Sequence, residues 1–103
     1  CWLVCGVAGN ILASYNITSI ADTGTGVVTV TIATDFSGTT YAVSATVQAT
    51  ATTWAVANAR EVHIRSATIA VGSIALDCID KTATTNLVKD PTTWHFAAFG
   101  DQA

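Results

Sequence analysis

The sequence predicts an all-β fold, an antiparallel β-sandwich or jelly-roll-like domain, on three observations. Its 103 residues include 18 Thr, 11 Val and 8 Ile but no Met, and β-branched side chains suit pleated strands while losing rotamer freedom in helices. Apolar residues recur at every second position in several short runs, the spacing that turns one face of a strand toward a core. Gly, Asp, Asn and Ser separate these runs at short intervals, as the turns of a many-stranded sandwich require.

The elements follow in chain order. "CWLVC" is a short apolar strand, and "GVAGN" behind it is a turn whose glycines tolerate positive φ. "SYNITSI" alternates, with Tyr15, Ile17 and Ser19 on one face and Asn16, Thr18 and Ile20 on the other. After the turn "ADTGTG", "VVTVTIA" sets Val28, Val30 and Ile32 against Thr29 and Thr31, so strand, glycine turn and strand make a hairpin. "DFSGTT" is the next turn. "YAVSATVQA" carries the longest period-two pattern, Tyr41, Val43, Ala45, Val47 and Ala49 alternating with Ala42, Ser44, Thr46 and Gln48.

"TATTWAVANA" is irregular and reads as a loop carrying Trp54. "REVHIRSATIA" then turns Val62 and Ile64 inward and Glu61, His63 and Arg65 outward. "GSIALDCID" sets Ile74, Leu76 and Cys78 against Ala75, Asp77 and Ile79. "KTATTNLVKDPTT" is a polar connection in which Pro91 bars a central strand position. The closing "WHFAAFG" alternates Trp94, Phe96 and Ala98 with His95, Ala97 and Phe99. About seven short strands are expected within one domain, residues 1–103.

Composition narrows the function. Charged residues make up 11% of the chain, against roughly 25% in an ordinary soluble domain, and the mean hydropathy is positive at +0.48. Burial of part of the surface against identical or neighbouring chains accounts for this. A net charge of −3 with four scattered basic residues gives no footprint for nucleic acid. No run approaches the roughly 20 apolar residues of a membrane helix, and "CWLVCGVAG" lacks the basic flank of a signal peptide. Cys1, Cys5 and Cys78 match neither a zinc nor a thioredoxin spacing and read as free thiols acting as small hydrophobes. A start at Cys fits either a processed product or the C-terminal part of a longer polypeptide.

Asp22-Thr23-Gly24 after an apolar strand is also how half of an aspartic protease site reads. Such a site needs two carboxylates sharing a proton, hence a dimer about Asp22, with a flap and a second apolar-apolar-Gly segment that only "AVGS" at 70–73 imitates. Gly26 two residues on favours a turn with two permissive positions. His63 and His95 lie outward on strand patterns without a ligand-spaced partner, and no nucleophile elbow supports a Ser-His-Asp triad. "NIT" at 16–18 matches a glycosylation acceptor but reads as strand. The expectation is therefore no catalytic, metal or cofactor-binding residue. Trp2 and Trp94 read as core or subunit contacts.

The order "CW", "SYNITSIADTGTG", "VVTVTIATDFSGTTYAV" and "DPTTWHFAAFG" resembles a small β-rich domain of tailed-bacteriophage virion proteins, often found at the C-terminal end of tail-fibre polypeptides. Its members look like a Trp near the start, an Asn-apolar-(Ser/Thr)-Ser-Ile strand, an Asp-x-Gly-x-Gly turn, Thr/Val-rich and Tyr-x-Val strands, and an Asp-Pro-led strand ending in Phe-Gly. The match spans most of the chain, "NITSIADTGTG" being its most specific part and 50–70 contributing little. The chain departs from the pattern at "LVCGVAGN" and at Val28, where the family has a Phe with a glycine-rich turn and an aromatic.

The resemblance implies a non-enzymatic virion structural protein, a homotrimer packed with other virion proteins, and puts Asp22, Gly24 and Gly26 on a hairpin turn. A tail-fibre or spike tip attaching to a host surface glycan or protein is the first expectation, and a capsid decoration protein the alternative. Of the loops, only 50–60 combines a large aromatic with polar neighbours, so Trp54, Thr52, Thr53, Asn58 and Arg60 are the candidate receptor or interface contacts.

Overall fold

A computed structural model of the chain describes residues 1–48, 59–65, 68–81 and 88–102. The alternating runs form strands β1 (Trp2–Gly6), β2 (Ile11–Tyr15), β3 (Ile17–Gly24), β4 (Val27–Ile32), β5 (Ala42–Gln48), β6 (Arg60–Ile64), β7 (Ser73–Asp80) and β8 (Thr93–Phe99). They build two four-stranded sheets, sheet I in the order β2-β1-β8-β5 and sheet II in the order β3-β4-β7-β6, with every pairing antiparallel. The sheets pack face to face as a β-sandwich.

Sheet I contributes Leu3, Cys5, Trp94, Phe96 and Ala98 to the core, and sheet II contributes Val28, Val30, Ile32, Ile74, Leu76 and Cys78. Full burial of each Val, Leu or Ile is worth about 1.5–3 kcal/mol, so the period-two pattern fixes which face of each strand turns inward. Phe36 and Tyr41 close one end, their rings stacked at 4.3 Å, and the Tyr41 hydroxyl donates to the Ala70 carbonyl at 2.9 Å. The final strand runs between β1 and β5, and Pro91 is buried just ahead of it.

The structure differs from the sequence reading in four places. "SYNITSI" is two strands, not one: β2 ends at Tyr15, and Asn16, at φ 56°, passes the chain from sheet I to sheet II. Its side chain fixes the crossing by accepting the Thr34 N–H at 2.9 Å and donating to the Thr34 carbonyl at 3.3 Å. A register shift between Ile17 and Ser19 then lets Ile17 and Ile20 both pack on the core. Strand β2 itself begins at Ile11, inside a stretch with no alternation to betray it, because all five of its residues are exposed.

Ile64, expected inward, is exposed at the end of edge strand β6. In the β3–β4 hairpin, Asp22 is still in the strand opposite Val28, so the turn proper is at Thr25 and Gly26. Gly26 is buried, while Asp22 and Thr25 are exposed.

Candidate interaction surface

Asp22 is exposed, and its Oδ1 accepts the N–H of Gly24 at 3.1 Å, a local bond that shapes the hairpin. The "AVGS" segment that would have to lie beneath a protease loop is the turn leading into β7, where Ala70 bridges Ser73. Since Thr31 pairs with Ser73 while Val28 pairs with Asp22, that turn lies toward the other end of β4, about 10 Å along the strand. The Asn16 amide is engaged with Thr34 as described, which gives "NIT" a structural role.

Gly26 requires glycine. Its φ is +66°, and a Cβ there would lie 2.6 Å from the Lys89 nitrogen and 2.9 Å from the Cys78 carbonyl oxygen. Its own N–H donates to Asp90 Oδ1 at 2.5 Å, and its carbonyl accepts the Cys78 N–H at 2.8 Å. The "ADTGTG" hairpin and the "DP" that precedes the last strand are thus one joint.

Beside that joint lies a largely buried ion cluster. Arg60 Nη1 is 3.5 Å from Asp80 Oδ1, with side chains only 7% and 5% exposed, and Lys89 Nζ is 3.1 Å from Asp80 Oδ2. Arg60, a sequence candidate for surface contact, therefore has its charge held against Asp80. Thr52, Thr53, Trp54 and Asn58 lie outside the described residues. On the outer side of β6, Glu61 Oε2 meets Lys81 Nζ at 2.7 Å and His63 Nε2 at 3.3 Å. The Lys81 ammonium first, and His63 second, hold the Glu61 carboxyl below its ordinary range.

Cys5, Cys78 and Cys1 are free thiols. Burial pushes Cys5 and Cys78 each up to about 11, so both are protonated and unreactive at neutral pH. Among the described residues no three His, Cys, Asp or Glu side chains gather as a metal site requires, and no helix is long and apolar enough to cross a membrane.

What remains is a surface. On the outer face of sheet I, cross-strand pairing aligns Tyr15, Trp2, Ala97 and Ser44 in one row and Ala13, Val4, His95 and Thr46 in the next. Small Ala97 and Ser44 leave a shallow groove flanked by Trp2, Val4, His95 and Thr46. Trp2 is 44% exposed, Tyr15 64%, and Phe99, one row further, 65%. No Lys, Arg, Asp or Glu occurs on β1, β2, β5 or β8. Trp2, expected as a core or subunit contact, is one member of this face, which no local pattern marks as a unit. Its trace was the absence of any charged residue from 1–21, 36–59 and 91–100.

No family model, curated protein or solved structure matches the chain.

Proposed function

We propose that this protein is a non-enzymatic virion structural domain of a tailed bacteriophage, acting at a tail-fibre or spike tip in attachment to a host surface. The observation that carries the reading is the joint at Gly26. The two motifs that bear the resemblance, Asp-x-Gly-x-Gly and Asp-Pro, are linked through the hydrogen bond from Gly26 to Asp90, which gives both a reason to exist in a scaffold and neither a reason to exist in an active site.

In this reading copies of the chain assemble as a homotrimer among other virion proteins, and the low charge reflects surface covered in the particle. Host contacts come from Trp54 with Thr52, Thr53 and Asn58, while Arg60, paired with Asp80, anchors the C-terminal end of that segment to sheet II. A glycan or a protein on the host surface is the ligand, and no cofactor takes part.

The test is to image virions of the phage that encodes the chain, labelled with an antibody raised against it. Label at the tail tip is the expected result. Label over the shell would replace the reading by capsid decoration, and virions without label would overturn both. Trp54→Ala should leave a folded assembly that no longer adsorbs to cells; normal adsorption would remove Trp54 as the contact.

A further inference from the structure

We propose that the uncharged outer face of sheet I, with strand β2 at its rim, is the surface through which copies of this chain associate. Strand β2 is the edge of its sheet and is exposed along its whole length. Ile11, Leu12 and Tyr15 are 41%, 61% and 64% exposed. Among the described residues nothing pairs with its outer edge. Natural edge strands are ordinarily blunted by charge, proline or a covering segment. Strand β2 has no charged residue and no proline, and its one irregularity is the register shift opposite Val4 and Cys5. An edge left so bare is a template for another strand.

The partner follows from charge. A face with no Lys, Arg, Asp or Glu offers nothing to a charged partner. Laid against the same face of another copy, it buries no unpaired charge and opposes no like charges, whatever the symmetry, and burial of unpaired charge is what most strongly penalises wrong contacts. Trp2 and Tyr15 supply the large amphipathic rings over which interface energy concentrates, and Phe99 adds an exposed apolar one. The face is continuous across four strands of five to seven residues, roughly 20 Å in each direction, and the main-chain edge of β2 extends it at the rim. Sheet II cannot serve in this way, since Glu61, His63, Lys81, Arg65 and Asp77 form ion pairs on its exposed side. The inference rests on the virion reading only for the number of copies.

The 103-residue chain is examined by light scattering at micromolar concentration with three variants. Ala97→Glu puts a carboxylate at the centre of the sheet I face, Ser44→Glu does so one strand away at an exposed position, and Thr29→Glu adds the same charge to the outer side of β4 in sheet II. The wild type and Thr29→Glu should associate. Ala97→Glu and Ser44→Glu should be folded by circular dichroism and at least tenfold weaker in association. Should Ala97→Glu fail to fold, Ser44→Glu decides. A monomeric wild type overturns the proposal, whether or not its tryptophan fluorescence then responds to an added glycan. Association surviving both sheet I charges, or lost equally with Thr29→Glu, overturns it too. A monomeric wild type would also remove the homotrimer from the functional reading, but none of these results bears on where the antibody labels the virion, so attachment and self-association are tested apart.

Discussion

Sheet I and sheet II meet each other through similar side chains, Leu3, Trp94 and Phe96 against Val30, Ile74 and Leu76, but meet solvent through different ones. Sheet II shows the solvated ion pairs of β6 and β7. Sheet I shows Trp2, Tyr15 and Phe99 with Ser44, Thr46 and His95 between them. Both inner faces are explained by the fold, because a strand must bury one side to be stable. Only the outer face of sheet II is explained by water. The contrast teaches that the inward pattern carries fold and the outward pattern carries function.

The largest expected effect breaks the joint that holds both sheets. Gly26→Val adds a branched side chain at φ +66° where even a Cβ would lie 2.6 Å from the Lys89 nitrogen. Loss of the folded state on circular dichroism is the expected outcome, since the clash with fixed backbone adds to a conformational cost of about 1–3 kcal/mol. Next, two tryptophans on one sheet separate its faces. Trp94, 1% exposed, should cost about 3–5 kcal/mol as Trp94→Ala. Trp2→Ala on the outer face should cost the isolated subunit less than about 1 kcal/mol and weaken association instead. Urea melts of the two variants, analysed for concentration dependence, measure both.

On the sheet II side, Asp80→Asn removes the carboxylate between Arg60 and Lys89. It should destabilise by up to about 3 kcal/mol, because the buried Arg60 guanidinium loses the carboxylate held 3.5 Å from it. Restoration by Asp80→Asn with Arg60→Met would assign the loss to the pair. The last effect is alkaline. Below pH 9 Cys5 and Cys78 are neutral in both states; above it the unfolded thiols ionise near 9 while the folded ones hold their protons to about 11. The unfolded state then binds fewer protons, so stability falls across that window by up to about 2–3 kcal/mol per thiol. Cys5→Ala should reduce the slope by about half in urea melts taken at a series of pH values.

Strands whose alternation reports burial were legible: β4, β5, β7 and β8 emerged from "VVTVTIA", "YAVSATVQA", "GSIALDCID" and "WHFAAFG". Strand β2 was not, since exposure on every residue erases the period that betrays a strand. The crossing at Asn16 was hidden because a single left-handed residue leaves an alternating sequence looking continuous. Arg60 read as surface because charge is ordinarily solvated, and only the fold brings Asp80 opposite it in register. The sheet I face depends on four strands scattered along the chain, so no local motif contains it.

The central claim, that the outer face of sheet I is covered by another copy, is tested most directly by amide hydrogen exchange followed against protein concentration. Amides of β2, whose outer edge is unpaired among the described residues, should become protected as concentration rises, while β3 and β6, the edges of sheet II, exchange at unchanged rates. Exchange in β2 independent of concentration, or protection appearing at β6 instead, would contradict it.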